Sequence, residues 1–212
     1  RWSPFTRQQV QYTKAEQPSK RSDNPRHVIR WGARRSRTTG LPINRMPSDR
    51  APDSPKGESF DWGPFDVDDA AMGDGLVALW AAERLQRGHD RPFLMAIGFY
   101  RPHIPLFAPK RHFEYYPTDS IVLPKVLTDD LADVGPSARG IALQPNTAGS
   151  HAMVLKHGQW KEAVAAYLAC VTFVDAQIGR LFLALEEGPN ADNTIVVLWS
   201  DHGWHLGEKQ HW

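Results

Sequence analysis

Asp201 and His202 are neighbours in the chain, with Ser200 before them, Gly203 behind and a run rich in Val and Ile leading in. Where a strand ends, its pleat breaks down, so a carboxylate oxygen and an imidazole nitrogen from adjacent residues can turn toward one divalent ion. The pair is therefore expected to ligate a metal, with Gly203 leaving room for the chain to turn. The competing reading is that Asp201 caps the next turn and His202 is a satisfied buried histidine. A zinc cluster of Asp201 with His202, His205 and His211 is a further alternative, although that spacing is unlike a helical His-x-x-x-His pair. A second reactive group is His103, set between Pro102 and Pro105. Each proline fixes its own φ and restricts the residue before it, which suits a side chain that must contact a substrate oxygen or donate a proton. The bland alternative is that the prolines only steer the chain. Arg101 shares the turn and is paired with His103 as a substrate-binding candidate. Cys170, flanked by Ala169 and Val171, reads as buried packing rather than as a nucleophile.

These groups need rigid elements behind them. Pro92 to Phe99 is a short continuous apolar run, and Thr194 to Trp199 is a second one rich in β-branched residues. Both suit strands covered on two faces in a parallel sheet. Each would release its reactive groups beyond its carboxyl end, where ligands collect in open α/β sheets. Between them, Val164, Tyr167, Val171, Val174, Ile178, Leu181 and Leu185 alternate spacings of three and four, which predicts one helix over about 159–187 with that stripe facing the sheet. Asp175 and Gln177 interrupt it with polarity, and Asp175 is the one expected to bond a neighbouring loop. An earlier helix through Met72, Leu76, Leu79 and Trp80 is expected to be capped by Asp68 or Asp69 and stopped by Gly88. Residues 117–158 read as a long connection with short ordered pieces. The fold class that follows is α/β, part of a doubly wound, mostly parallel sheet with flanking helices.

The chain has 212 residues, 41% of them apolar, enough for one substantial core. It contains no uninterrupted apolar run of membrane-spanning length, and no membrane partner is expected. One cysteine excludes an internal disulfide framework and any Cys-x-x-Cys pair. Residues 1–57 hold 13 Lys/Arg against 4 Asp/Glu, whereas residues 58–212 hold 12 against 20. The first segment reads as a basic, proline-punctuated, loop-rich excursion packed on the domain formed by 58–212. Arg34-Arg35-Ser36-Arg37 raises nucleic-acid binding, but a solvated surface segment is favoured and no nucleic-acid partner is expected. Arg1-Trp2-Ser3-Pro4 has neither an initiator Met nor an apolar signal core, so a longer gene product is expected.

Four blocks together resemble a known family: Phe60-Asp61-Trp62-Gly63-Pro64; Gly98-Phe99-Tyr100-Arg101-Pro102-His103-Ile104-Pro105; Tyr167-Leu168-Ala169 with Val174 to Leu181; and Ser200-Asp201-His202-Gly203-Trp204-His205-Leu206-Gly207-Glu208. Over residues 58–212 the chain is similar to the iduronate-2-sulfatase-like branch of the sulfatases, in the alkaline-phosphatase-like superfamily. The resemblance implies a Ca2+-dependent hydrolase of sulfate esters, acting on a sulfated small molecule or carbohydrate. Its nucleophile would be a formylglycine made from the first residue of a Cys/Ser-x-Pro-x-Arg motif. Asp201 and His202 match the family's late metal-ligand pair, and His103 its substrate-contacting histidine, with a part in protonating the leaving group. The resemblance also implies a periplasmic, extracellular or lysosome-like setting. Neither the modifiable motif nor the early Asp-Asp metal pair occurs in these residues. The expectation is a central piece of a longer enzyme, inactive alone and completed by the rest of the same polypeptide. A phosphodiesterase or phosphonate hydrolase of the same superfamily and a non-catalytic polyanion-binding remnant are the rival readings.

Overall fold

The computed structural model describes residues 43–46, 60–143 and 150–212. Most of the basic segment 1–57 thus lies outside the described residues. Strand β1 (Trp62–Phe65) and strand β2 (Leu106–Pro109) pair in parallel, Trp62 against Leu106 and Phe65 against Pro109. Between them runs helix α1 (Gly73–Leu85). The short helices α2 (Lys110–Phe113), α3 (Pro136–Leu143) and α4 (His151–Lys156) follow, and then the long helix α5 (Trp160–Glu186). A parallel sheet carrying helices is the expected α/β class.

Helix α5 is the centre of the core; Val164 and Leu185 of the expected stripe are buried and Tyr167, Val174, Ile178 and Leu181 half-buried, but the most deeply buried face lies beside that stripe. Ala163, Ala166, Cys170, Phe173, Gln177 and Ala184 are buried, whereas Val171 is 41% exposed. The reason lies in side-chain size. Ala163, Ala166 and Ala169 give α5 a shallow buried face, and Ala78 and Ala81 of α1, the helix packed along α5, have no exposed surface, so neighbouring elements can approach closely. Phe107 from β2 and Phe173 from α5 are fully buried, each contributing roughly 2–3 kcal/mol of transfer free energy. By length and apolar content α5 would suffice to cross a bilayer, although charged and polar residues interrupt its apolar run. Its packing on α1, β1 and β2 makes it the core helix of this α/β layer.

Among the described residues, the two apolar runs expected to be buried strands carry no strand pairing. Residues 92–99 are irregular and alternate half-buried with exposed positions. Ile195, Val197 and Trp199 are 91%, 78% and 90% exposed. Continuous hydrophobicity specifies burial on two faces but says nothing of which segments supply the ladder; among the described residues, no strand pairs with either run. The start of α1 also differs. Asp68 and Asp69 open a short 3-10 turn (Asp69–Ala71) without a side-chain cap, and Met72 occupies the N-cap of α1, which ends at Leu85, before Gly88.

Candidate functional site

The His103 turn hangs from the first turn of α1. The Asp74 carboxylate accepts the backbone N–H of Tyr100 on Oδ1 (2.9 Å) and that of Arg101 on Oδ2 (3.0 Å). Arg101 is 5% exposed. Its Nε donates to the Phe107 carbonyl (2.7 Å) and its Nη1 to the His103 carbonyl (3.4 Å). The guanidinium thus braces the turn from within, between β2 and the histidine. Both Arg101-Pro102 and Ile104-Pro105 are cis.

His103 itself is exposed. Its Nδ1 lies 2.6 Å from the Ile104 carbonyl, which also accepts the Tyr100 hydroxyl at 3.0 Å. A carbonyl only accepts, so Nδ1 carries the proton and Nε2 points its lone pair outward in the neutral ring. The Tyr100 ring lies against the imidazole, centroids 4.6 Å apart.

Asp201 and His202 leave the exposed 194–199 run on another element, with side chains 89% and 69% exposed. They are therefore surface groups, unlike the capped and buried pair of the competing reading. Asp201 Oδ1 accepts the His202 backbone N–H at 3.0 Å. His202 Nδ1 donates to the Gly203 carbonyl at 3.0 Å, and Ser200 Oγ donates to the His202 carbonyl at 2.8 Å. With Nδ1 committed, Nε2 is the ligand-capable atom, and it lies 3.8 Å from Asp201 Oδ2. Two oxygen- or nitrogen-donor ligands at right angles around a calcium ion stand about 3.3–3.7 Å apart, given bond lengths of about 2.3–2.6 Å. At 3.8 Å the pair stands just wider than that span; the carboxylate is an oxygen donor of the kind calcium takes, whereas an imidazole nitrogen is the donor typical of transition metals. Among the described residues no three His, Cys, Asp or Glu side chains converge, so Asp201 and His202 stand as a pair, while His205 packs edge-on to His211, centroids 5.6 Å apart.

The chain beyond this pair is held in strained backbone. Leu206, Gly207, Lys209 and Gln210 all have positive φ, of which only Gly207 is a glycine. Several contacts hold the bend: Trp160 Nε1 donates to the Leu206 carbonyl (2.8 Å), Lys209 Nζ to Asp133 (2.7 Å) and Trp212 Nε1 to His151 Nδ1 (3.0 Å). Burial lowers the His151 pKa, which suits a ring nitrogen that accepts.

One polar cluster had only a partial sequence signal. Asp69, 5% exposed, accepts from Arg111 Nε (2.9 Å), His112 Nε2 (2.9 Å) and Gln177 Nε2 (2.7 Å). Burial pushes this carboxyl up, but the hydrogen bonds from Arg111, His112 and Gln177 outweigh it and the net shift is downward. The network ties the approach to α1 to α2 and α5. The polar interruption of the long helix was its signal, but the bonding residue is the fully buried Gln177, and Asp175 is exposed. Cys170 is fully buried and its thiol is pushed up to about 12 by burial, which leaves no thiolate for nucleophilic attack near neutral pH.

Against known proteins, residues 12–212 match the family model described as Sulfatase. A sulfatase of Formosa agariphila is 43% identical over 152 residues, covering 70% of this chain and 29% of that protein. Human iduronate 2-sulfatase is 33% identical over 129 residues, covering 57% of this chain and 23% of that protein. A multifunctional alkaline phosphatase superfamily protein of Trinickia caryophylli is 28% identical over 132 residues, covering 58% and 26%. The chain thus spans less than a third of the length of these relatives.

Proposed function

The chain belongs to the sulfatase family, and on that premise we propose that it supplies one metal-binding limb and one proton donor to an enzyme that hydrolyses sulfate esters. The observation that carries this is the geometry of Asp201 and His202. A carboxylate oxygen and an imidazole nitrogen with its other nitrogen already bonded lie 3.8 Å apart on an accessible loop. The carboxylate and imidazole suit a divalent cation; Ca2+ is proposed on the resemblance to the sulfatases, with Asp201 supplying the oxygen donor that ion prefers. Such an ion, when bound, would neutralise charge on the sulfate oxygens. The nucleophile, a formylglycine in this reading, would come from a part of a longer polypeptide, since none of the 212 residues forms a Cys/Ser-x-Pro-x-Arg motif.

His103 is assigned the leaving-group side. With Nδ1–H held by the Ile104 carbonyl, the proton that His103 gains and gives back sits on Nε2, the outward atom. In the charged ring that Nε2–H can donate to the ester oxygen as the S–O bond breaks, and positioned acid catalysis of this kind is worth about 10²–10⁴ in rate. Arg101 holds the His103 carbonyl and thereby the position of the ring. The substrate class is a sulfated small molecule or carbohydrate, the second suggested by the iduronate 2-sulfatase relative.

The test is turnover of an aryl sulfate by the full-length enzyme with Asp201→Ala. Calcium-dependent activity should be lost, and wild-type activity in the variant would refute the assignment. A parallel rate on the aryl phosphate ester separates the superfamily's two chemistries, and strong preference for phosphate would overturn the sulfatase reading.

A further inference from the structure

We infer that Asp74 is a positioning residue for His103, setting which imidazole nitrogen carries the proton; this rests on the role proposed above for His103. Asp74 is 7% exposed and lies in the first turn of α1, where a negative charge is favoured by the helix dipole. Its place is fixed from behind. A Cβ at Gly75 would run into the Asp69 carbonyl, so the helix start sits hard against the preceding turn and tolerates only glycine at that approach.

The two carboxylate oxygens accept the N–H groups of two consecutive residues, Tyr100 and Arg101. Both of these residues then reach forward onto the histidine turn. Tyr100 lays its ring on His103 and donates its hydroxyl to the Ile104 carbonyl. Arg101 donates to the His103 carbonyl. The Ile104 carbonyl is the acceptor for His103 Nδ1–H, so the orientation of that one oxygen decides the tautomer. Asp74 touches neither His103 nor Ile104 by hydrogen bond, and it acts through the two residues it anchors.

The consequence is chemical as well as geometric. An unrestrained neutral imidazole favours the Nε2–H form, and the bond to Ile104 reverses that preference. Without the anchor, the proton that comes and goes would be exchanged at Nδ1, facing the protein, instead of at Nε2, facing the substrate.

The experiment is long-range proton–nitrogen NMR of the intact enzyme labelled with 15N-histidine, wild type against Asp74→Asn, with the melting temperature of each recorded. Asn keeps the shape but turns an amide N–H₂ toward one of the two backbone donors. The expected result is an Nδ1–H signature for His103 in the wild type and a shift toward the Nε2–H form in the variant. Turnover of an aryl sulfate should fall about tenfold, with calcium affinity, which reads Asp201 and His202, unchanged. If Asp74→Asn unfolds the protein, Asp74→Glu, which keeps the charge but displaces the carboxylate, is read the same way. An unchanged tautomer in a folded variant overturns the inference. A changed tautomer with unchanged turnover supports it and removes His103 from the chemistry, which separates failure of this inference from failure of the functional reading.

Discussion

Replacing Asp69 by alanine should cost a large part of the stability of this layer. The carboxylate is the shared acceptor of three donors, and two of them cannot turn to water: His112 is 3% exposed and Gln177 is fully buried. Each buried donor left without an acceptor costs about 1–3 kcal/mol. The third, Arg111, has a side chain 60% exposed, so its loss adds only about 0–1 kcal/mol once solvent screening is allowed for. The total is roughly 2–7 kcal/mol, a large share of a typical folding stability of about 5–15 kcal/mol. Urea unfolding should show the midpoint falling by roughly 1–3 M at constant slope. Arg111→Ala should move it by no more than about 0.5 M, for the same screening reason. In a double variant with Gln177→Leu the two costs should add to less than their sum, because one orphaned donor is then gone. The pH dependence carries a definite sign. The folded pKa of Asp69 lies below its ordinary 3.8, so its contribution is complete above that value and is lost as pH falls through the lower folded value. Asp69→Asn should flatten that acid limb. A midpoint shift in Asp69→Ala no larger than that of Arg111→Ala would refute the reasoning.

Two further outcomes follow from burial. Cys170, with its thiol pushed up to about 12, should resist iodoacetamide at pH 8 in the folded protein and react promptly in urea; rapid labelling of the folded state would contradict its place in the core. His151 has a folded pKa lowered by burial and accepts from Trp212. Its contribution is therefore complete above the unfolded value near 6.5 and is lost as pH falls from there through the folded value. Melting temperatures between pH 8 and pH 5 should drop less steeply in His151→Gln, and identical slopes would remove His151 from the account.

Much of the candidate site was written locally. Asp201-His202-Gly203 and the proline-flanked His103 are contiguous residues whose chemistry depends on backbone constraints a few positions long, and such constraints survive in any context. The long helix was likewise legible from its three-four periodicity, because a helix closes its hydrogen bonds within itself. Sheet pairing is not local. Residues 92–99 and 194–199 have the composition of two-sided buried strands, yet among the described residues neither run pairs with a strand and Trp199 lies 90% exposed.

What the sequence by itself determined was the family, whose model matches residues 12–212, and the candidates for its chemistry, the adjacent Asp201 and His202 and the proline-flanked His103. What only the tertiary structure decided was how those groups are held. The face that α5 buries was settled by the helix and strands packed against it, which no single-helix pattern records. Gln177 meets Asp69 across 108 positions of sequence. Asp74 reaches Tyr100 and Arg101 from 26 and 27 positions away. Distances of that order are closed only when the whole layer folds, because a hydrogen bond reads separation in space and is indifferent to separation along the chain.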